Sequence, residues 1–150
     1  MAPPNALPPL PTASAPSVLG PAKLIYTMLR VRDLERSLHF YTAVLGMRLL
    51  KRQDYPSGRF TLAFIGYDVA DDTAMLELTH NWGEHDYEKG TGFGHLALEV
   101  PDVAGACTRL AAAGVSIVRP PGPMQADAAE IIAFVLDPDG YRVELVESRA

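Results

Sequence analysis

Residues 24–46 read LIYTMLRVRDLERSLHFYTAVLG, and residues 95–114 read HLALEVPDVAGACTRLAAAG. Both begin with a run whose apolar residues alternate, the period of a half-buried strand. An aspartate follows in each (Asp33 and Asp102), then a stretch of helical spacing that ends at a glycine (Gly46 and Gly114). A carboxylate caps the exposed N–H groups of a first helical turn, and glycine closes a helix at little steric cost. In the first helix Leu34, Leu38, Tyr41 and Leu45 form the apolar stripe. Three more strand-like runs come after each helix. They are MRLLKRQ (47–53), FTLAFIGY (60–67) and AMLELTH (74–80), then VSIVRP (115–120), EIIAFVLD (130–137) and YRVELVE (141–147). Turn residues separate them at YPSG (55–58), DVADD (68–72) and PDG (138–140). The halves also match in detail. Leu29-Arg30-Val31 corresponds to Leu98-Glu99-Val100, Ala63-Phe64 to Ala133-Phe134, and Leu76-Glu77-Leu78 to Val143-Glu144-Leu145, each pair about 70 residues apart. The chain is therefore expected to be α+β, two tandem βαβββ modules over about 23–80 and 91–147 within one domain, 23–150.

Residues 1–22 are of another kind: they hold seven prolines and no charged side chain, which predicts a polyproline-like or disordered tail. They lack the basic start and apolar stretch of a secretory signal, and the arginines of an organellar transit peptide. Of the 150 residues, 48% are hydrophobic and 21% charged, the balance of a chain that folds on a core. The net charge is −5 and no basic run occurs, which argues against a nucleic-acid partner. The single cysteine, Cys107, cannot form an intramolecular disulfide. No apolar run approaches the ~20 residues of a membrane span. These features point to a cytoplasmic protein without membrane or nucleic-acid partners.

The duplication singles out four positions. Equivalent strands of two such modules are expected to face each other, so that matched side chains converge. On the first strands these are Tyr26 and His95; on the last strands, Glu77 and Glu144. Both glutamates stand between apolar neighbours, where an uncompensated buried carboxylate is unfavourable by several kcal/mol. Two carboxylates facing an imidazole suggest a compensating cation, and mixed nitrogen and oxygen donors suit Zn²⁺, Ni²⁺, Co²⁺ or Mn²⁺ better than Ca²⁺. Solvated glutamates on the outer face of each strand are the plain alternative. His80, three residues after Glu77, falls on the opposite strand face; His39, His85, Cys107 and Trp82 are read as solvated or structural.

From Lys23 to Glu147 the chain resembles the glyoxalase I (lactoylglutathione lyase) family of the vicinal oxygen chelate superfamily. The resemblance runs through TMLRVRDLERSLHFYTAVLGM, LAFIGY, LELTHNWG, YEKGTGFGHLAL and IIAFVLDPDGYRVELVE. It implies a homodimer of paired βαβββ modules with a divalent metal, Ni²⁺ or Zn²⁺, at the interface. It also implies isomerisation of the hemithioacetal of methylglyoxal and glutathione to S-lactoylglutathione. By position, Glu77, His95 and Glu144 match metal ligands, Glu144 also matches the proton-moving carboxylate, and Arg30 and Asn81 match residues that hold glutathione.

Two places depart from the family. Tyr26 stands where relatives carry His or Gln, and a neutral phenol is a poor ligand. A phenolate-ligated centre, a three-ligand centre completed by water, and a metal-free cleft are all open there. The loop GPMQADAAE (122–130) carries no lysine and gains Asp127 and Glu130, which bears on the thiol cosubstrate. Two other functions stay in view. One is a metal-free small-molecule binding module; the other is another chemistry of the superfamily, such as an epimerase or a dioxygenase. The dioxygenase ordinarily wants two histidines and one carboxylate.

Overall fold

The computed structural model describes residues 17–67, 74–83 and 86–149. The turn expected at 68–72, His85 and most of the expected tail lie outside the described residues. The described residues form two four-stranded mixed sheets, each with one helical segment packed on it. In the first, β1 (Tyr26–Arg30), β2 (Arg48–Tyr55), β3 (Phe60–Gly66) and β4 (Met75–Asn81) are ordered β1-β4-β3-β2. In the second, β5 (His95–Val100), β6 (Ile117–Pro123), β7 (Ile131–Leu136) and β8 (Arg142–Glu147) are ordered β5-β8-β7-β6. In both, the first strand runs parallel to the last and the remaining pairs are antiparallel. The strand order of one half is thus repeated in the other.

Both aspartate caps form. The Asp33 side chain accepts from the N–H of Arg36, and that of Asp102 from the N–H of Gly105. Gly46 and Gly114 end their helices at φ +82° and +85°, where a side chain would be strained. The first helix differs from the expected regular one. After α1 (Leu34–Leu38) the chain widens into a π-helical stretch, His39–Val44, with the Leu45 N–H donating to the Phe40 carbonyl at 2.9 Å. The wider turn lets adjacent Phe40 and Tyr41 both bury, alongside Ser37 and Leu38. Helix α2 (Val103–Ala112) is regular. Strand β6 extends further than expected, with two irregularities in its pairing to β7. Pro120, Pro121 and Pro123 have no N–H for the ladder. The guanidinium of Arg119 compensates, donating to the carbonyls of Pro120, Gly122, Pro123 and Ile132.

Strand alternation divides each sheet into two faces. One face carries Leu29, Val31, Ile65 and Leu78 against the first helix; its counterpart carries Val135, Val143 and Leu145 against Val103, Cys107 and Leu110 of α2. Val44, Leu45, Leu98 and Val115 pack against both clusters. The two halves therefore join through their helix-covered sides. This leaves the opposite face of each sheet outside the shared core.

Candidate metal centre

The opposite faces carry the residues singled out in the sequence. On β1 these are Tyr26 and Arg30, with Met28 between them; on β4, Glu77 and Asn81, with Thr79 between them. In register, Glu77 lies between Met28 on one side and Phe64 on the other. Its carboxylate is buried, with 7% of the residue exposed, and accepts a hydrogen bond from Thr79 Oγ1 at 3.0 Å. In the second sheet Glu144 lies between Ala97 and Phe134. His95 Nε2 stands 2.9 Å from a Glu144 carboxylate oxygen.

The aromatic neighbours repeat as well. Tyr26 meets Phe64 edge to face with ring centres 5.1 Å apart and planes at 71°. His95 meets Phe134 at 5.0 Å and 78°. The tyrosine therefore occupies in the first sheet the seat that the histidine occupies in the second.

The structure brings two of the three expected metal donors, His95 and Glu144, into contact. Glu77 holds the matched position in the other sheet. Among the described residues no group of three or more His, Cys, Asp or Glu side chains gathers within one chain. Within one chain the Glu77 face and the His95–Glu144 face point apart, because the halves join by their helix-covered sides. The donor set nevertheless suits a divalent ion. A carboxylate buried between Met28 and Phe64 beside a hydroxyl donor supplies oxygen ligands, and an imidazole beside a second carboxylate offers nitrogen and oxygen donors together.

Arg30 and Asn81 lie further along the same face as Glu77. Asn81 is four residues beyond Glu77 on β4, about 13 Å at the usual rise per residue. Arg30 also lines a cavity of about 130 Å³ with Arg32, Lys89, Tyr87, Asp139 and Tyr141. Sequence reasoning missed Arg32 and Lys89, because the β7–β8 turn assembles them. Arg32 Nε donates to the Asp139 carboxylate at 3.2 Å, and Lys89 Nζ donates to the Asp139 carbonyl at 2.9 Å. A larger polar groove of about 670 Å³ adjoins this cavity, sharing Arg32, Asp86 and Asp139 with it and lined also by Arg36, Arg52, Thr61 and His80. It holds none of the candidate donors.

His80 Nδ1 lies 3.3 Å from the Val31 carbonyl, and Trp82 Nε1 donates to Thr61 Oγ1 at 2.9 Å. Cys107 is buried, which pushes its thiol pKa up, and His39 is exposed. In the 122–130 loop, Asp127 and Glu130 both face Arg149, at 3.1 and 3.9 Å.

Residues 23–145 match the family model described as Glyoxalase/Bleomycin resistance protein/Dioxygenase superfamily. A probable lactoylglutathione lyase from Synechocystis is 52% identical over 125 residues, covering 83% of this chain and 95% of that protein. The lactoylglutathione lyase of Neisseria meningitidis serogroup B is 52% identical over 128 residues, covering 85% and 92%. Among solved structures, the trypanothione-dependent glyoxalase I of Leishmania major superposes with a TM-score of 0.75 at 37% identity, covering 85% of this chain and 87% of that one. Glyoxalase I from Zea mays gives a TM-score of 0.80 at 38% identity, and there the chain spans 45% of the maize protein. The chain belongs to the lactoylglutathione lyase, or glyoxalase I, family of the glyoxalase/bleomycin resistance protein/dioxygenase superfamily.

Proposed function

We propose that the protein is a lactoylglutathione lyase, isomerising the hemithioacetal of methylglyoxal and glutathione to S-lactoylglutathione. The observation that carries this reading is the matched pair of carboxylates, Glu77 and Glu144, one of them 2.9 Å from His95. Glu77, His95 and Glu144 would hold one divalent ion, nickel or zinc in the first instance, with cobalt or manganese as alternatives. Bound there, the ion stabilises negative charge developing on the two substrate oxygens, a contribution of several kcal/mol. The proton chemistry belongs to Glu144. Its carboxylate removes the proton from the carbon bearing sulfur, leaving an enediolate, and returns it to the neighbouring carbon. The hydroxyl proton moves between the two oxygens, so the product is an isomer and no oxidant is needed. Arg30 and Asn81 would hold the glutathione part, the guanidinium pairing with a carboxylate.

The centre is completed in this reading by a second copy of the chain. The open face of the first sheet carries Tyr26 and Met28 at 38% and 37% exposure, apolar surface suited to cover by a partner. A homodimer would set the Glu77 face of one chain against the His95–Glu144 face of the other. Residues 23–150 would form the domain, two copies of one ancestral unit, with 1–22 as a tail. Among the described residues no helix is long and apolar enough to cross a membrane, and we place the protein in the cytoplasm.

The direct test is a hemithioacetal isomerase assay on metal-stripped protein before and after addition of Ni²⁺, Zn²⁺ or Co²⁺. Turnover that returns with metal is expected. Protein that takes up none of these ions and shows no turnover would favour a metal-free binding module, and metal-loaded protein without turnover would favour another chemistry of the superfamily.

A further inference from the structure

We propose that Tyr26 is a catalytic residue of this centre, donating its hydroxyl hydrogen to a substrate oxygen rather than serving as a metal ligand, so that three protein side chains hold the ion. The inference rests on the lactoylglutathione lyase reading and adds to it. Its starting point is the repeated seat. Tyr26 lies two residues before Met28, the register partner of Glu77, as His95 lies two before Ala97, the register partner of Glu144. Both rings lean edge to face on the phenylalanine of the third strand, at 5.1 and 5.0 Å. Both are open to the same degree, Tyr26 at 38% and the His95 side chain at 40%. The first sheet thus presents to the centre a hydroxyl where the second presents an imidazole nitrogen.

The two groups do different chemistry from one seat. A neutral imidazole offers a lone pair to a cation, whereas a neutral phenol offers a hydrogen to an anion. Reach separates them further. A phenol carries its oxygen beyond the place of an imidazole Nε2 by about 2 Å, the length of one metal–nitrogen bond. From the same seat the phenol oxygen would therefore not take the place of an imidazole ligand, and its hydrogen would be free to meet a substrate oxygen. The reaction develops charge on those oxygens, and a donor placed there before the reaction begins stabilises the transition state more than the ground state. The proton is shared and not transferred, so no bond is made or broken at Tyr26.

Three variants of the full-length protein separate the possibilities. In Tyr26→Phe the ring and its contact with Phe64 remain, so the fold is expected to hold, as circular dichroism would check. Its affinity for Co²⁺, measured by calorimetry, should stay within about twofold of the parent, while kcat falls about 100-fold with little change in KM. Tyr26→His should tighten Co²⁺ binding at least about tenfold, because a fourth nitrogen donor becomes available. A tenfold loss of Co²⁺ affinity in Tyr26→Phe would make the tyrosine a ligand and overturn the proposal. So would an unchanged kcat in Tyr26→Phe, or an unchanged affinity in Tyr26→His. Cobalt binding by Tyr26→His but not by the parent would overturn it too, since Tyr26 would then close the site. Glu77→Gln serves as the control for the underlying reading. If it leaves Co²⁺ affinity and turnover intact, the metal centre itself is wrong, whatever the tyrosine variants do.

Discussion

The Tyr41 hydroxyl, on the first helical segment, donates to a carboxylate oxygen of Asp137, at the end of the second half's third strand, over 2.8 Å. The other oxygen of Asp137 accepts from the N–H groups of Asp139 and Tyr141. Tyr141 in turn donates through its hydroxyl to the Arg30 carbonyl at 2.8 Å. One turn thus ties the second sheet to the strand that carries both Tyr26 and Arg30. Burial holds the Asp137 carboxyl above the ordinary carboxylate range, and burial together with the Asp137 charge pushes the Tyr41 hydroxyl far above its own. Tyr41 therefore remains a donor at any working pH.

Removing that donor leaves a buried carboxylate with one bond fewer. Tyr41→Phe should destabilise the protein by about 1–3 kcal/mol. Chemical denaturation would read this directly, and a change under about 0.5 kcal/mol would show the link to be idle.

The raised Asp137 carboxyl also predicts a pH dependence. Its protonated form is favoured by folding, so its contribution is fully present below the unfolded carboxyl value, about 3.9, and is lost as pH rises through the higher folded value. Asp137→Asn keeps an oxygen for the two N–H groups but cannot ionise. The variant's stability relative to the parent should therefore increase between pH 4 and pH 7 in urea titrations. A relative decrease over that interval would contradict the assigned direction.

Glu144→Gln keeps the shape of the side chain and loses its basicity. Turnover should fall by about 10²–10⁴-fold with the circular dichroism spectrum unchanged. Near-parental turnover would remove Glu144 from proton transfer.

Arg30→Ala should act on substrate binding rather than on chemistry. An increase in KM of about tenfold or more, with kcat within a few-fold of the parent, is expected when an arginine–carboxylate pair is lost. An unchanged KM would place the tripeptide elsewhere.

Complementation tests the shared centre. Glu77→Gln and Glu144→Gln should each be inactive alone. If each centre takes Glu77 from one chain and Glu144 from the other, mixed dimers restore one intact centre. Full exchange should then recover about a quarter of parental activity. No recovery after exchange, with mixed dimers confirmed by mass spectrometry, would confine the centre to one chain.

Much of this was legible because strand alternation is a local property. Leu76, Glu77 and Leu78, and Val143, Glu144 and Leu145, alternate along their strands, so each glutamate lies on the face opposite its core-packed neighbours. The capping aspartates and closing glycines were equally plain, since a cap needs only a side chain and the next turn of backbone. Other features depended on distant partners. The π-helical widening at His39–Val44 exists because Phe40 and Tyr41 are both drawn into the core. The bends in β6 come where three prolines supply no ladder N–H, and Arg119 donates to four carbonyls there, one of them across the ladder on β7.

The sequence by itself determined the two strand–helix–three-strand runs, their shared register and the four positions that correspond between them, because these follow from side-chain period and turn chemistry. Only the tertiary structure decided which faces meet. Apolar side chains from both helical segments and from Leu98 and Val115 close the inner core, and burial is non-directional, favouring whichever faces hide the most apolar surface. That choice left Glu77 on one open sheet and the His95–Glu144 pair on another.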